Sequence, residues 1–336
     1  GGAVTDRTRR PKPVAVAGYA VSGVSRLGLV WAVAPVAFLL LDRVGKGLRV
    51  APRDALIAAH APRHALASAF AVHRTLDTAG ALAGPLIAFA VLHMVPGDFA
   101  LLFQLSVLGS VLGIVVLVVG VPAPALAPVP ATALDAATDE GVPTRAGRRV
   151  AAAGAVLGAA TVSDGLLFLA MWRLADLDPA VFPLLFAGSA VSYLLLGIPF
   201  GRLADRVGRS RLLVPAHGAL LAVYGLLWAT EPSAWTVAAC LALHGLYYAG
   251  TDGVYSATAA AIAPPHRRGQ VIGRVLFGVA AGRLVGGALF GAVWLRAGLD
   301  IAFAVAACLL VVAAVAATRL LQPVHPEDRR CTDAGS

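Results

Sequence analysis

At 336 residues, with 59 % hydrophobic and 13 % charged side chains and a mean hydropathy of +0.80, the chain has too little polar surface for water, so most of it is solvated by lipid. Its net charge of +9 would point to nucleic acid in a soluble protein. Here the basic residues sit in short loops between apolar blocks, which is the pattern of membrane orientation, and no nucleic-acid partner is expected. Cys240, Cys308 and Cys331 have neither paired spacing nor a His partner, so they imply no disulfide framework and no metal site.

In chain order, ten apolar stretches are long enough for a hydrocarbon core of about 30 Å, which takes roughly 20 residues of helix: 13–30, 33–59, 70–94, 99–121, 150–174, 180–200, 211–230, 233–262, 270–295 and 300–321. No strand periodicity interrupts them, and 36 glycines suit helices that pack closely in lipid. An all-α membrane protein is therefore expected. The Pro-rich stretch 122–149 reads as a linker between a first bundle at 1–121 and a second at 150–322, with a polar tail at 323–336.

Charge counting supports this layout. Alternate loops hold Arg7, Arg9, Arg10 and Lys12; Arg63; Arg145, Arg148 and Arg149; Arg202, Arg206, Arg209 and Arg211; Arg267 and Arg268; and Arg329 and Arg330. The opposite loops hold Arg296, with Arg173 at an edge. The positive-inside rule then puts the linker and the tail in the cytoplasm.

The chain also repeats itself at an offset of about 200 residues. Gly2, Asp6, Arg7, Arg9 and Arg10 recur as Gly201, Asp205, Arg206, Gly208 and Arg209, and Ala61-Pro62-Arg63-His64 recurs as Ala263-Pro264-Pro265-His266. Each copy is a turn whose acid can cap a helix start while its arginines stay in the headgroup zone.

These motifs resemble those of the major facilitator superfamily, whose loop between the second and third helices carries G-x-x-x-D-R-x-G-R-R and recurs in the second half. The first copy departs at Thr8, where the family usually has Gly. The resemblance implies two six-helix bundles and a central cavity lined by the first, fourth, seventh and tenth helices. It also implies that ten of the usual twelve helices are present, the first two lying before Gly1. Arg43-Val-Gly-Lys46-Gly47 is similar to the family's R-x-x-Q-G segment. Gly80-Ala-Leu-Ala-Gly84-Pro85 resembles its antiporter motif, although Gly-x-x-x-Gly is also a common packing pattern.

In the stretch 33–59, Asp42, Lys46, Arg49 and Arg53 fall at i, i+4, i+7 and i+11, on one helix face. A charge near the membrane centre costs about 2.5–3.5 kcal/mol, so this stripe, with Arg43, is expected to face a cavity. The alternative is an Asp42–Lys46 structural pair, with Arg49, Arg53 and Asp54 reaching the interface. A shift of 202 residues carries the stripe onto His244, Tyr248, Thr251 and Tyr255, a second polar face expected on the cavity. Such a site suits an amphipathic or anionic solute. Asp164, near the middle of 150–174 and without a basic residue within one turn, is the first candidate for proton coupling. Asp42 and Asp252 are the others, and a structural bond is the rival reading for Asp164. Arg74 and Asp77, at i and i+3, are expected to pair.

The expected activity is proton-coupled movement of a small organic solute across the cytoplasmic membrane, as export, with lipid and protons as the further partners. The rivals are uptake of an organic anion and a non-transporting sensor or assembly factor on the same scaffold. No enzyme motif, phosphate loop, cofactor site or obligate protein partner is evident, and Gly286-Gly287-Ala-Leu-Phe-Gly291 reads as a packing surface.

Overall fold

The computed structural model describes residues 2–8, 10–30, 35–95, 99–122, 145–178, 182–229, 233–264 and 267–322. Every regular element among them is helical: α1 (Gly2–Thr8), α2 (Pro11–Val30), α3 (Pro35–His60), α4 (Leu66–Met94), α5 (Phe99–Val115, continued by a wider turn at Val116–Gly120), α6 (Arg145–Ala159), α7 (Asp164–Leu174), α8 (Phe182–Val207), α9 (Arg209–Ala229), α10 (Ala234–Ile262), α11 (Arg268–Ala297) and α12 (Leu299–Leu321). Among the described residues six stretches are both long and apolar enough to cross a membrane: Leu101–Gly120, Arg145–Leu174, Leu184–Val207, Arg209–Ala229, Arg268–Ala297 and Leu299–Leu321. The helices α2, α3, α4 and α10 fall below that mark, so a count of ten crossings rests on the sequence. Most of the expected linker and all of the tail from 323 lie outside the described residues.

The chain forms two compact units that do not simply follow its order. One unit comprises Gly1–Ala61, Gly80–Val142 and Ala263–Gly273, and the other Pro62–Ala79, Pro143–Ile262 and Arg274–Ser336. In the first unit α2 and α3 approach through glycine. A β-carbon on Gly45 would lie 2.9 Å from the Gly18 carbonyl, and one on Gly18 would lie 2.8 Å from the Arg49 nitrogen. At the end of α5, Lys12 Nζ donates to the carbonyls of Val118 at 2.8 Å and Val121 at 2.6 Å, placing a cation on the free acceptors of a helix C-terminus.

In the second unit, glycines spaced by four on α11 press against α6. A β-carbon on Gly278 would meet the Ala151 carbonyl at 2.8 Å, and one on Gly286 the Ala159 carbonyl at 2.5 Å. This is the packing role expected for the Gly286 segment. Gly80 and Gly84 differ, since a β-carbon on either would meet nothing within 4 Å among the described residues.

The stretch 150–174 is not the continuous helix expected. It stops at Ala159 and restarts at Asp164, so Asp164 opens a helix instead of lying within one. Ser163 has the extended φ −65°, ψ 143° of a helix-preceding residue, and Ser-Asp before an apolar run is itself a start signal. Tyr224 of α9, fully buried, bridges the gap: its hydroxyl accepts the Val162 N–H at 2.8 Å and donates to the Ala160 carbonyl at 3.4 Å. Backbone groups freed inside a membrane need such partners, because lipid supplies none.

Candidate functional site

Helix α10 carries His244, Tyr247, Tyr248 and Asp252, and α7 brings Asp164 to meet them. The Tyr248 hydroxyl lies 2.8 Å from both Asp164 carboxylate oxygens and donates to that group. His244 Nε2 lies 3.4 Å from Asp164 Oδ1, and its Nδ1 is 2.7 Å from the Ser189 hydroxyl of α8. From α11, Arg283 donates to the Tyr247 hydroxyl at 2.9 Å and to that of Tyr248 at 3.4 Å. Two side chains of α10, backed by Ser189 of α8 and Arg283 of α11, thus converge on one carboxylate, although no basic residue lies near it in sequence. Its position at the first turn of α7 adds the favourable field of a helix N-terminus.

This cluster borders a cavity of about 250 Å³ lined by Thr78, Asp164, Phe168, Phe186, Ser189, Ala190, Tyr193, His244, Tyr248 and Asp252. Two of the residues expected on the α10 face are not on it. Thr251 is fully buried and donates to the Tyr247 carbonyl at 2.8 Å, as a hydroxyl inside an apolar helix commonly does. Tyr255 is 3 % exposed, packed in the core near the position of Gly154. Both stay within about 20° of His244 around the helix, so it is the packing around α10 and not its period that keeps them off the cavity. Arg74 Nε reaches Asp252 at 3.4 Å, a partner on another helix that the i, i+3 expectation did not include. Ser189, Tyr193 and Phe186 were missed by sequence reading, since one serine or one ring in an apolar helix carries no local signal.

On α3 the Asp42–Lys46 pair, the alternative to a stripe facing a cavity, is not formed. Asp42 Oδ1 is buried without a hydrogen-bond partner among the described residues, and Arg43 and Lys46 are exposed. Arg49 stacks over the Tyr19 ring with 4.5 Å to its centroid, and Arg53 pairs with the adjacent Asp54 at 2.9 Å.

The loop motifs build two similar structures. Asp205 accepts the backbone N–H groups of Ala67 at 3.0 Å and Ser68 at 2.8 Å, and the Ser68 hydroxyl at 2.7 Å, where α4 begins. Asp6 accepts those of Gly269 at 3.1 Å and Gln270 at 2.7 Å, where α11 begins. Arg209 is not a headgroup residue: one turn on from Asp205, it pairs with that carboxylate at 3.0 Å and also donates to the Arg63 carbonyl. Gly208 takes φ 101°, which only glycine adopts without strain. Aligned on the two acids, the residue opposite Gly208 is Arg9, outside the described residues, and not Thr8, which remains helical.

The sequence profile of the Major Facilitator Superfamily matches residues 150–336, more than half of the 336-residue chain. The chain belongs to that superfamily. The chain is 33 % identical over 121 residues to an uncharacterized MFS-type transporter of Methanocaldococcus jannaschii, a match that covers 35 % of this chain and 29 % of that protein. It is 33 % identical over 102 residues to an uncharacterized protein of Mycobacterium tuberculosis, covering 30 % of this chain and 25 % of the other. The aligned region thus spans less than a third of either relative. Among solved structures it resembles the human organic anion transporter TETRAN, with a TM-score of 0.74 and 18 % identity over 94 % of this chain and 79 % of that one. It also resembles the Escherichia coli fucose:proton symporter, with a TM-score of 0.73 and 12 % identity over 96 % and 86 % of the two chains. At these identities the likeness establishes the fold, the multi-pass helical membrane architecture of this superfamily.

Proposed function

We propose that this facilitator couples proton movement to the export of a small organic solute across the cytoplasmic membrane, with Asp164 as the coupling group. The observation that supports this is the Asp164–His244–Tyr248 cluster on the rim of a solute-sized cavity. An ionisable group within a membrane helix is costly, and one bordering a cavity has an evident use. Uptake or loss of a proton at Asp164 alters its bonding to Tyr248 and His244, which are held by Arg283 and Ser189, so protonation and cavity shape are mechanically joined. Export draws on the Gly80–Gly84–Pro85 motif. In the same reading Asp6 and Asp205 hold helix starts at the cytoplasmic face and release them during the cycle, and Gly2, Arg7, Arg10, Gly201 and Arg206 complete those loops.

The rival reading, uptake of an organic anion, draws on Arg43 and Lys46, which have no ion-pair partner among the described residues. Both readings are tested with vesicles containing the protein, in which labelled cationic, anionic and neutral solutes are followed under proton gradients imposed in either direction. Export coupled to protons predicts solute movement against the proton flow, and Asp164→Asn should abolish the gradient dependence. Gradient dependence that persists in Asp164→Asn would remove Asp164 from the role. Movement of no solute would favour a sensor on the transporter scaffold.

A further inference from the structure

The cavity's lining has a consistent chemical character. Its polar groups are two carboxylates, three hydroxyls among Thr78, Ser189 and Tyr193, the Tyr248 hydroxyl and the His244 ring, and no Lys or Arg lines it among the described residues. The nearby guanidinium groups are engaged behind the wall: Arg74 on Asp252 at 3.4 Å, and Arg283 on the Tyr247 and Tyr248 hydroxyls.

The two carboxylates are therefore unequal. Asp252 is balanced by Arg74, whereas Asp164 faces an imidazole and a phenol. Asp164 keeps 42 % of its side chain exposed, and a carboxylate has about four lone-pair positions, so acceptor capacity remains toward the cavity. The apolar lining is aromatic. Phe168 and Phe186 meet edge to face with centroids 4.5 Å apart, and Phe168 meets His244 at 5.1 Å. Aromatic faces attract cations through their quadrupole. An anion entering the same space would lose hydration and gain no cationic partner.

We propose, resting on the transporter reading above, that the solute is a small organic monocation, an ammonium-bearing molecule whose charge is met by Asp164 and whose apolar part lies against Phe168, Phe186 and Tyr193. A proton and such a cation compete for one carboxylate, so each weakens the binding of the other by the same factor. This competition makes the movement of the two an exchange, and it ties the choice of solute to export. The groups facing Asp164 leave this logic intact: His244 and Tyr248 contact it directly, Arg283 acts through Tyr248, and Asp252 is held by Arg74.

The test is calorimetric titration of the purified full chain in lipid nanodiscs with tetraethylammonium, benzoate and xylose, on both sides of neutral pH. Tetraethylammonium should bind, and more tightly at the higher pH. Asp164→Asn should weaken it by about tenfold or more and remove the pH dependence, while Asp164→Glu, which keeps the carboxylate, should retain most of the affinity. Thermal unfolding of each variant shows whether it is folded. Benzoate or xylose binding as tightly as tetraethylammonium would overturn the proposal, as would tetraethylammonium binding unchanged by Asp164→Asn in a folded protein. Proton-coupled movement of benzoate or xylose in vesicles, without cation binding, would reject the cation and keep the transporter reading. Cation binding without proton-coupled movement would do the reverse.

Discussion

Asp205 shows how much one side chain can organise where two helices meet. Its two oxygens receive two backbone N–H groups and a hydroxyl at the start of α4, and an arginine one turn away on the chain. Charge-assisted hydrogen bonds of this kind contribute about 1.5–3 kcal/mol each at most, and they are not additive. Asparagine retains one acceptor oxygen but loses the charge and the pair with Arg209. Asp205→Asn is therefore expected to slow transport several-fold while changing solute affinity little, measured as rate against saturation in the same vesicles. Equal losses of rate and affinity would indicate a general folding role instead.

At the scale of the element, the informative feature is the interruption between α6 and α7. A continuous helix would turn Asp164 by the helical period of the preceding turns, whereas the break resets it to the first turn of a new helix beside α10. The close pass of α11, with the position of Gly286 near the carbonyls of Ala159 and Thr161, and the Tyr224 bridge keep the gap open. Tyr224→Phe would leave the Val162 N–H without its partner in a buried site, at about 1–3 kcal/mol. The expected result is a lower melting temperature together with a changed pH profile of transport, because Asp164 loses its fixed position. A lower melting temperature with an unchanged pH profile would assign Tyr224 to stability alone.

At the scale of the whole molecule, the internal repeat has a structural counterpart. Asp6 takes two N–H groups at the start of α11, and Asp205 takes two at the start of α4. The acceptors and the helix starts each recur at an offset of about 200 residues. Each half of the sequence thus supplies the acid for a helix that follows the Ala-Pro motif of the other half. If the two loops act alike, Asp6→Asn should slow transport to a degree similar to Asp205→Asn, and the double variant should show whether they act independently. A silent Asp6→Asn, with normal expression, would show that only the second copy, which has the Gly208 turn and the Arg209 pair, matters for the cycle.

Composition and periodicity were sufficient for the helical class and for the positions of the apolar stretches, because lipid obliges each spanning segment to satisfy its own backbone. The repeated acids and glycines were legible too, since a turn with a fixed chemical task keeps its residue spacing. The sequence also named Asp164, His244, Tyr248 and Asp252. What it could not supply was their relation to one another: the residues around Asp164 come from positions 189, 244, 248 and 283, and only packing brings them together. Thr251 and Tyr255 were misplaced for the same reason, as a polar residue on an apolar helix has the same local signature whether it lines a cavity or bonds its own backbone. The broken helix was partly visible in Ser163-Asp164, but that signal lay within a long apolar run. Whether the run continued or stopped was decided by tertiary contacts: the hydroxyl of Tyr224 takes up the freed Val162 N–H away from water, and α11 passes the gap closely at Gly286.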